Sequence, residues 1–170
     1  MSGYDLSKLR VLLIDDHQPM RLVLSAMLQA FGFSDIHEAT NGQEALEMCL
    51  KLNPDIAFVD WIMDPMDGLS FTRIVRQGRR GLNPFMPIVL VTGRTDRAHV
   101  IEARDAGVTE IVAKPLSIDH LYRRIIALIE QPRPFVRTKH YFGPDRRRRR
   151  DAPYQGPRRR DVDGSEGAPQ

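Results

Sequence analysis

Short runs of β-branched and aliphatic residues alternate along this chain with longer stretches whose apolar residues recur at every third and fourth position. That alternation constrains the fold more than any other feature. The runs at 9–14, 35–39, 56–59, 88–91 and 110–113 are read as five strands, and three of them are almost wholly apolar, as strands buried on both faces must be. Between them the spacing predicts helices over 17–31, 41–52, 69–77, 96–106 and 117–129. Gly32, Asn53-Pro54 and Gly107 stand where such helices should stop. Strands separated by helices must run parallel with right-handed crossovers, so the fold class is α/β: a doubly wound five-stranded parallel sheet with helices on both faces. In such a sheet the chemistry gathers beyond the carboxyl ends of the strands.

That rule collects five polar residues into one crevice. Asp15 and Asp16 follow the first strand, Asp60 the third, Thr92 the fourth and Lys114 the fifth. Singly, each has an ordinary structural use: an Asp pair after a strand caps a helix, and Asp60 could be a turn residue. Likewise Thr92 is a common strand end and Lys114 a solvated charge beside a turn proline. Four strands ending in compatible chemistry argue instead for a site. Converging carboxylates are costly to keep ionised without a counter-charge, and oxygen-only ligands favour a hard divalent ion, with Mg2+ the natural candidate.

In order and spacing these motifs resemble the receiver domain of bacterial response regulators, over about residues 7–130. They are Leu13-Ile14-Asp15-Asp16, Val59-Asp60-Trp61-Ile62-Met63 with Met66-Asp67-Gly68, Val91-Thr92-Gly93, and Lys114-Pro115. The resemblance implies a flavodoxin-like (βα)5 sheet of order 2-1-3-4-5 in a single-domain, chemotaxis-regulator-like protein of two-component signalling. It implies that Asp60 accepts a phosphoryl group from a histidine kinase or histidine phosphotransfer protein. Asp16, Asp60 and the Ile62 backbone carbonyl would be Mg2+ ligands, with Asp15 acting largely through water. Lys114 would neutralise charge on the transferred group, Thr92 would donate its hydroxyl to it, and Pro115 would follow a cis peptide. So read, the protein is not an enzyme with a separate substrate; it catalyses only its own phosphorylation and dephosphorylation, and signals by contact with a downstream protein.

Three departures bear on behaviour. Ile111 stands three residues before Lys114, where the family usually carries Tyr or Phe; Asp64 replaces the usual Pro and would add an acid near the metal; Ile62 and Arg94 flank the path of hydrolytic water in family members. Phosphatases of the haloacid-dehalogenase type also use an Asp nucleophile with Mg2+ and Lys. Their motif needs a second Asp two residues later, where this chain has Ile62.

Composition divides the chain at Glu130. Of its 170 residues, those from Gln131 onward carry a net charge of +6, leaving −3 for residues 1–130. Residues 1–130 are taken as the receiver domain, and 131–170 as a basic Pro/Gly/Arg-rich tail, expected to be largely disordered. The runs 146–150 and 158–160 are all arginine and lie near Phe135, Tyr141, Phe142 and Tyr154, a pattern that can bind single-stranded nucleic acid. A solvated tail is the preferred reading. The lone Cys49 sits in a helical pattern and forms no disulfide framework. His17, His37, His99, His120 and His140 show no ligand spacing. With no membrane-length apolar run and no signal-peptide pattern, the expected location is the cytoplasm.

Overall fold

The five apolar runs become β1 (Arg10–Ile14), β2 (Asp35–Ala39), β3 (Ile56–Asp60), β4 (Ile88–Thr92) and β5 (Glu110–Ala113). They pair in parallel in the order β2-β1-β3-β4-β5, as the family resemblance implied. The computed structural model describes residues 4–147. Register aligns the carboxyl ends: Ile14 pairs with Ala39 and Val59, Asp60 with Val91, and Thr92 with Ala113. The three central strands are covered on both faces, which explains why their sequences hardly alternate.

Helices α1 (Gln18–Ala30), α2 (Gly42–Leu52), α3 (Gly68–Gln77), α4 (Arg97–Ala106) and α5 (Ile118–Glu130) complete the layers. Leu12, Ile14, Ala57, Val59, Ile88 and Leu90 face one side, where Ala45 and Cys49 of α2, Phe71 and Val75 of α3 and Ala103 of α4 close the core. Val11, Leu13, Phe58, Val89, Val91 and Val112 face the other, against Leu24 and Leu28 of α1 and Leu121 and Ile125 of α5. A one-residue slip would exchange the two sets, so the strand register is tightly specified. Burial pushes the Cys49 thiol up to about 12, which makes it an inert core residue.

Four helices begin one residue later than the apolar spacing alone predicts, because His17, Asn41, Asp96 and Ser117 are N-caps rather than helical residues. Asn41, Asp96 and Ser117 accept from the amides of Glu44, His99 and His120. His17 makes no such bond, but Pro19 stands in the first turn of α1.

The expectation of disorder from Gln131 needs correction. Phe135–Arg137 (β6) and Phe142–Pro144 (β7) form an antiparallel hairpin within the described residues. The remaining tail, with the arginines at 148–150 and 158–160 and Tyr154, lies outside the described residues. The hairpin packs at the pole opposite the carboxyl ends of the strands. Phe85, just before β4, meets Phe135 at 5.2 Å and Phe142 at 5.4 Å between ring centroids. The buried Arg76 of α3 lies 5.0 Å from the Phe135 ring centroid. It donates to the carbonyls of Gly107 (2.9 Å), Pro84 (2.9 Å) and Met86 (2.7 Å), and to Thr109 Oγ1 (3.2 Å). Burial lowers its pKa to about 10, so it remains charged at neutral pH. Arg133 pairs with Glu110 at 3.1 Å and Arg146 with Asp105 at 2.9 Å. Gly143 permits the close approach: a Cβ there would come 3.2 Å from the Gly107 Cα. Strands of three residues, one of them containing Gly-Pro, are too short to show period-two alternation.

Because side-chain packing holds this hairpin, Phe142→Ala should remove roughly 1–3 kcal/mol of its local stability. Hydrogen exchange should show faster amide exchange within β6 and β7 while β1, β3 and β4 keep their protection.

Candidate functional site

Asp15 prolongs β1, its amide donating to Ala39 O at 3.1 Å. The turn into α1 folds back on it. The His17 amide donates to Asp15 Oδ1 at 2.8 Å, and Arg21, one turn into α1, donates to the Asp15 carbonyl at 2.7 Å while pairing with Glu38 at 2.9 Å. Asp60 ends β3 beside it. One carboxylate oxygen from each of Asp15, Asp16 and Asp60 lies within 4.8 Å of the others, with Asp15 buried, Asp60 half-buried and Asp16 exposed. Lys114 reaches in from the end of β5, its Nζ 2.9 Å from Asp60 Oδ1 and 3.7 Å from Asp15 Oδ2. Its amide donates to Thr92 O at 2.9 Å, and the Lys114-Pro115 peptide is cis, the isomer the family resemblance implied. Thr92 is buried at the end of β4, and its Oγ1 accepts from the Arg94 amide at 3.0 Å.

The acceptor loop turns tightly under Asp60. Gly68 donates its amide to Trp61 O at 2.9 Å, and any Cβ at Gly68 would run into the Asp60 carbonyl oxygen. Only glycine lets α3 start this close to the acceptor. Asp67 caps that helix by accepting from the Ser70 amide at 2.7 Å, and Asp64-Pro65 is a second cis peptide. Trp61 is buried, with His99 edge-on at 5.2 Å and the Arg94 guanidinium 5.8 Å from its ring centroid. His99 in turn bonds the carboxylate of Asp96, the α4 cap. The loop after β4 and the start of α4 therefore rest on the residue next to Asp60.

The electrostatics are those of an acidic cluster with too little compensation. Burial pushes Asp15 above the usual carboxylate value of 3.8; the His17 amide opposes this, Asp60 adds to it, Lys114 opposes and Asp16 adds. Three carboxylates against one ammonium fit a hard divalent cation by donor type and by charge. Asp64 is exposed and is not one of the three clustered carboxylates. Ile62 is 57% exposed at the rim, while Ile111 is half-buried against the core cluster that holds Ala103 and Ala106 of α4.

The structure thus brings Asp15, Asp16, Asp60 and Lys114 together and places Thr92 on the neighbouring strand end. Sequence reading missed Arg21, whose value depends on α1 folding back over Asp15, and the Trp61–His99–Arg94 packing, which no spacing rule encodes. Three of the aromatics assigned to a nucleic-acid-binding tail are engaged otherwise: Phe135 and Phe142 pack with Phe85, and Arg146 stacks 4.0 Å from the Tyr141 ring centroid. Tyr154 lies outside the described residues.

Comparison with known proteins agrees with this fold. The sequence profile described as the response regulator receiver domain matches residues 11–126. The chain is 33% identical over 123 residues to the chemotaxis protein CheY of Pseudomonas aeruginosa, covering 72% of this chain and 98% of that protein. Among solved structures, a putative response regulator from Chloroflexus aurantiacus aligns with a TM-score of 0.66 at 28% identity, covering 73% of this chain and 100% of that one. The Vibrio cholerae chemotaxis protein CheY4 aligns with a TM-score of 0.63 at 29% identity, covering 69% and 96% respectively.

Because the folded-state pKa of Asp15 is raised, its ionisation opposes folding. That penalty is full above the raised value and fades as pH falls through it toward 3.8. In chelator at neutral pH, Asp15→Asn should therefore be more stable than the wild type by on the order of 1 kcal/mol. Denaturant melts should show the advantage shrinking as pH falls through that window; an advantage that grows there would contradict the assignment.

Proposed function

The chain belongs to the receiver-domain family of response regulators, and from that premise we propose that it is a signalling switch whose Asp60 accepts a phosphoryl group from the phosphohistidine of a histidine kinase or histidine phosphotransfer protein. The observation that carries this reading is the Lys114 ammonium 2.9 Å from Asp60 Oδ1, within the carboxylate cluster at the aligned strand ends. An Asp60 oxygen attacks phosphorus in line; the phosphorus–nitrogen bond breaks, its electron pair stays with the imidazole, and an aspartyl phosphate remains. Lys114 is placed to follow the charge from the carboxylate onto the phosphoryl oxygens. Asp16, Asp60 and the Ile62 carbonyl would hold Mg2+, with Asp15 acting through water, and a bound ion would supply the charge neutralisation that Lys114 alone does not.

Thr92 links chemistry to signal. Its oxygen accepts from the Arg94 amide, so its proton can turn to a phosphoryl oxygen, drawing in the loop that carries Arg94 and the α4 cap. With Ile111 where an aromatic would swing, the change passes through the Trp61, Arg94 and His99 contacts to α4. The output is contact with a downstream protein. A kinase-coupled switch of this kind works in the cytoplasm, and no described helix is long and apolar enough to cross a membrane. A phosphatase acting on separate substrates is disfavoured by Ile62, which occupies the place of that class's acid.

Incubation with acetyl phosphate and Mg2+ should add one phosphoryl group per chain by intact mass. The adduct should be absent from Asp60→Asn and retained in Thr92→Ala. An adduct that persists in Asp60→Asn, or steady turnover of a phosphomonoester, would contradict the proposal.

A further inference from the structure

We infer that the cleft between the C-terminal ends of α3 and α4 and the turn of the β6–β7 hairpin binds a small phosphate-bearing anion of nucleotide size. The cleft has a volume of about 310 Å3, and Arg73, Arg76, Arg137, Lys139 and His140 are among the residues that line it. One carboxylate shares that lining, Asp105, and Arg146 engages it at 2.9 Å. Arg76 is committed to backbone carbonyls, which also offsets the negative ends of the two helix dipoles. The other cations are under-compensated: Arg73 approaches Glu102 only at 4.0 Å, and among the described residues Arg137 and Lys139 have no ion pair. Single unpaired cations are ordinary on a surface. Several around one concavity sum their fields and concentrate anions there.

The geometry favours phosphate. The Arg137 guanidinium stacks 4.4 Å from the Phe142 ring centroid, which fixes its plane and leaves its N–H edges for a planar or tetrahedral oxyanion. A volume of about 310 Å3 is at the lower end of small-molecule clefts, roughly 300–1,000 Å3. An extended single strand would need bare aromatic faces for its bases, but here the Phe142 and Tyr141 rings are stacked by Arg137 and Arg146. The hairpin wall of the cleft also lies beyond residues 11–126, the segment shared with the receiver family. A ligand here would touch α3 and α4, the helices that start beside the acceptor loop and the β4 loop at the opposite pole.

The test is calorimetric titration of the full chain in chelator, so that the uncompensated acidic pole repels anions, with inorganic phosphate, pyrophosphate, ATP and a short single-stranded oligonucleotide. Pyrophosphate or ATP should bind one per chain and, in amide NMR spectra of the same titration, shift the resonances of residues 73–77 and 137–142. The Arg137→Gln/Lys139→Gln variant should weaken binding by about tenfold or more. Arg73→Gln, a helix substitution that leaves the hairpin intact, should weaken it as well, whereas Lys8→Gln should not. Equal affinity for pyrophosphate and ATP would assign the phosphates as the recognised group; tighter ATP binding would add the nucleoside. Absence of saturable binding, or binding indifferent to the Arg73 and Arg137/Lys139 changes, would overturn the inference. Tighter capture of the oligonucleotide through the same residues would overturn it in favour of nucleic acid.

Discussion

Mutual repulsion among three carboxylates held within 4.8 Å is the constraint around which this molecule is built. Among the described residues Lys114 is the cation paired with them, and one ammonium cannot balance three negative charges. The cluster exists only because the parallel register brings the ends of β1, β3 and β5 level. Two further features hold it together: the Arg21 guanidinium on the Asp15 carbonyl, and a glycine at 68 where a side chain would strike Asp60. A site so arranged gains whenever positive charge arrives or negative charge is spread over more atoms, which is the property a phosphoryl switch requires.

The opposite pole has the reverse character. There the hairpin turns arginines toward the ends of α3 and α4, and the ion pairs Arg133–Glu110 and Arg146–Asp105 fasten it to β5 and α4. The two poles are joined by the same rigid elements: α3 begins at Gly68 under the acceptor and ends at Arg76 and Gln77 by the hairpin, while α4 begins at the Asp96 cap and ends at Gly107 against Gly143. Helix α4 thus runs from the loop beside the acceptor to the glycine contact with the hairpin.

The fold was legible because its evidence is redundant. Central strands without alternation, helices with three-and-four spacing and stops at Gly32, Asn53 and Gly107 all demand the same sheet, and strand ends then place Asp15, Asp60, Thr92 and Lys114 without reference to contacts. What stayed hidden depends on tertiary approach. Arg21 reads as an ordinary helix residue until α1 folds over Asp15. The hairpin's Phe135 and Phe142 read as tail aromatics because three-residue strands carry no period, and their partner Phe85 is some fifty residues earlier in the sequence.

The most direct test of the account is chemical trapping of the acceptor. After exposure to a phosphodonor with Mg2+, borohydride reduces an acyl phosphate to the alcohol, so peptide mass mapping should find homoserine at position 60 and the acids at 15, 16 and 64 unchanged. Reduction at any of those three, or none anywhere in a protein that has taken up phosphate, would contradict it.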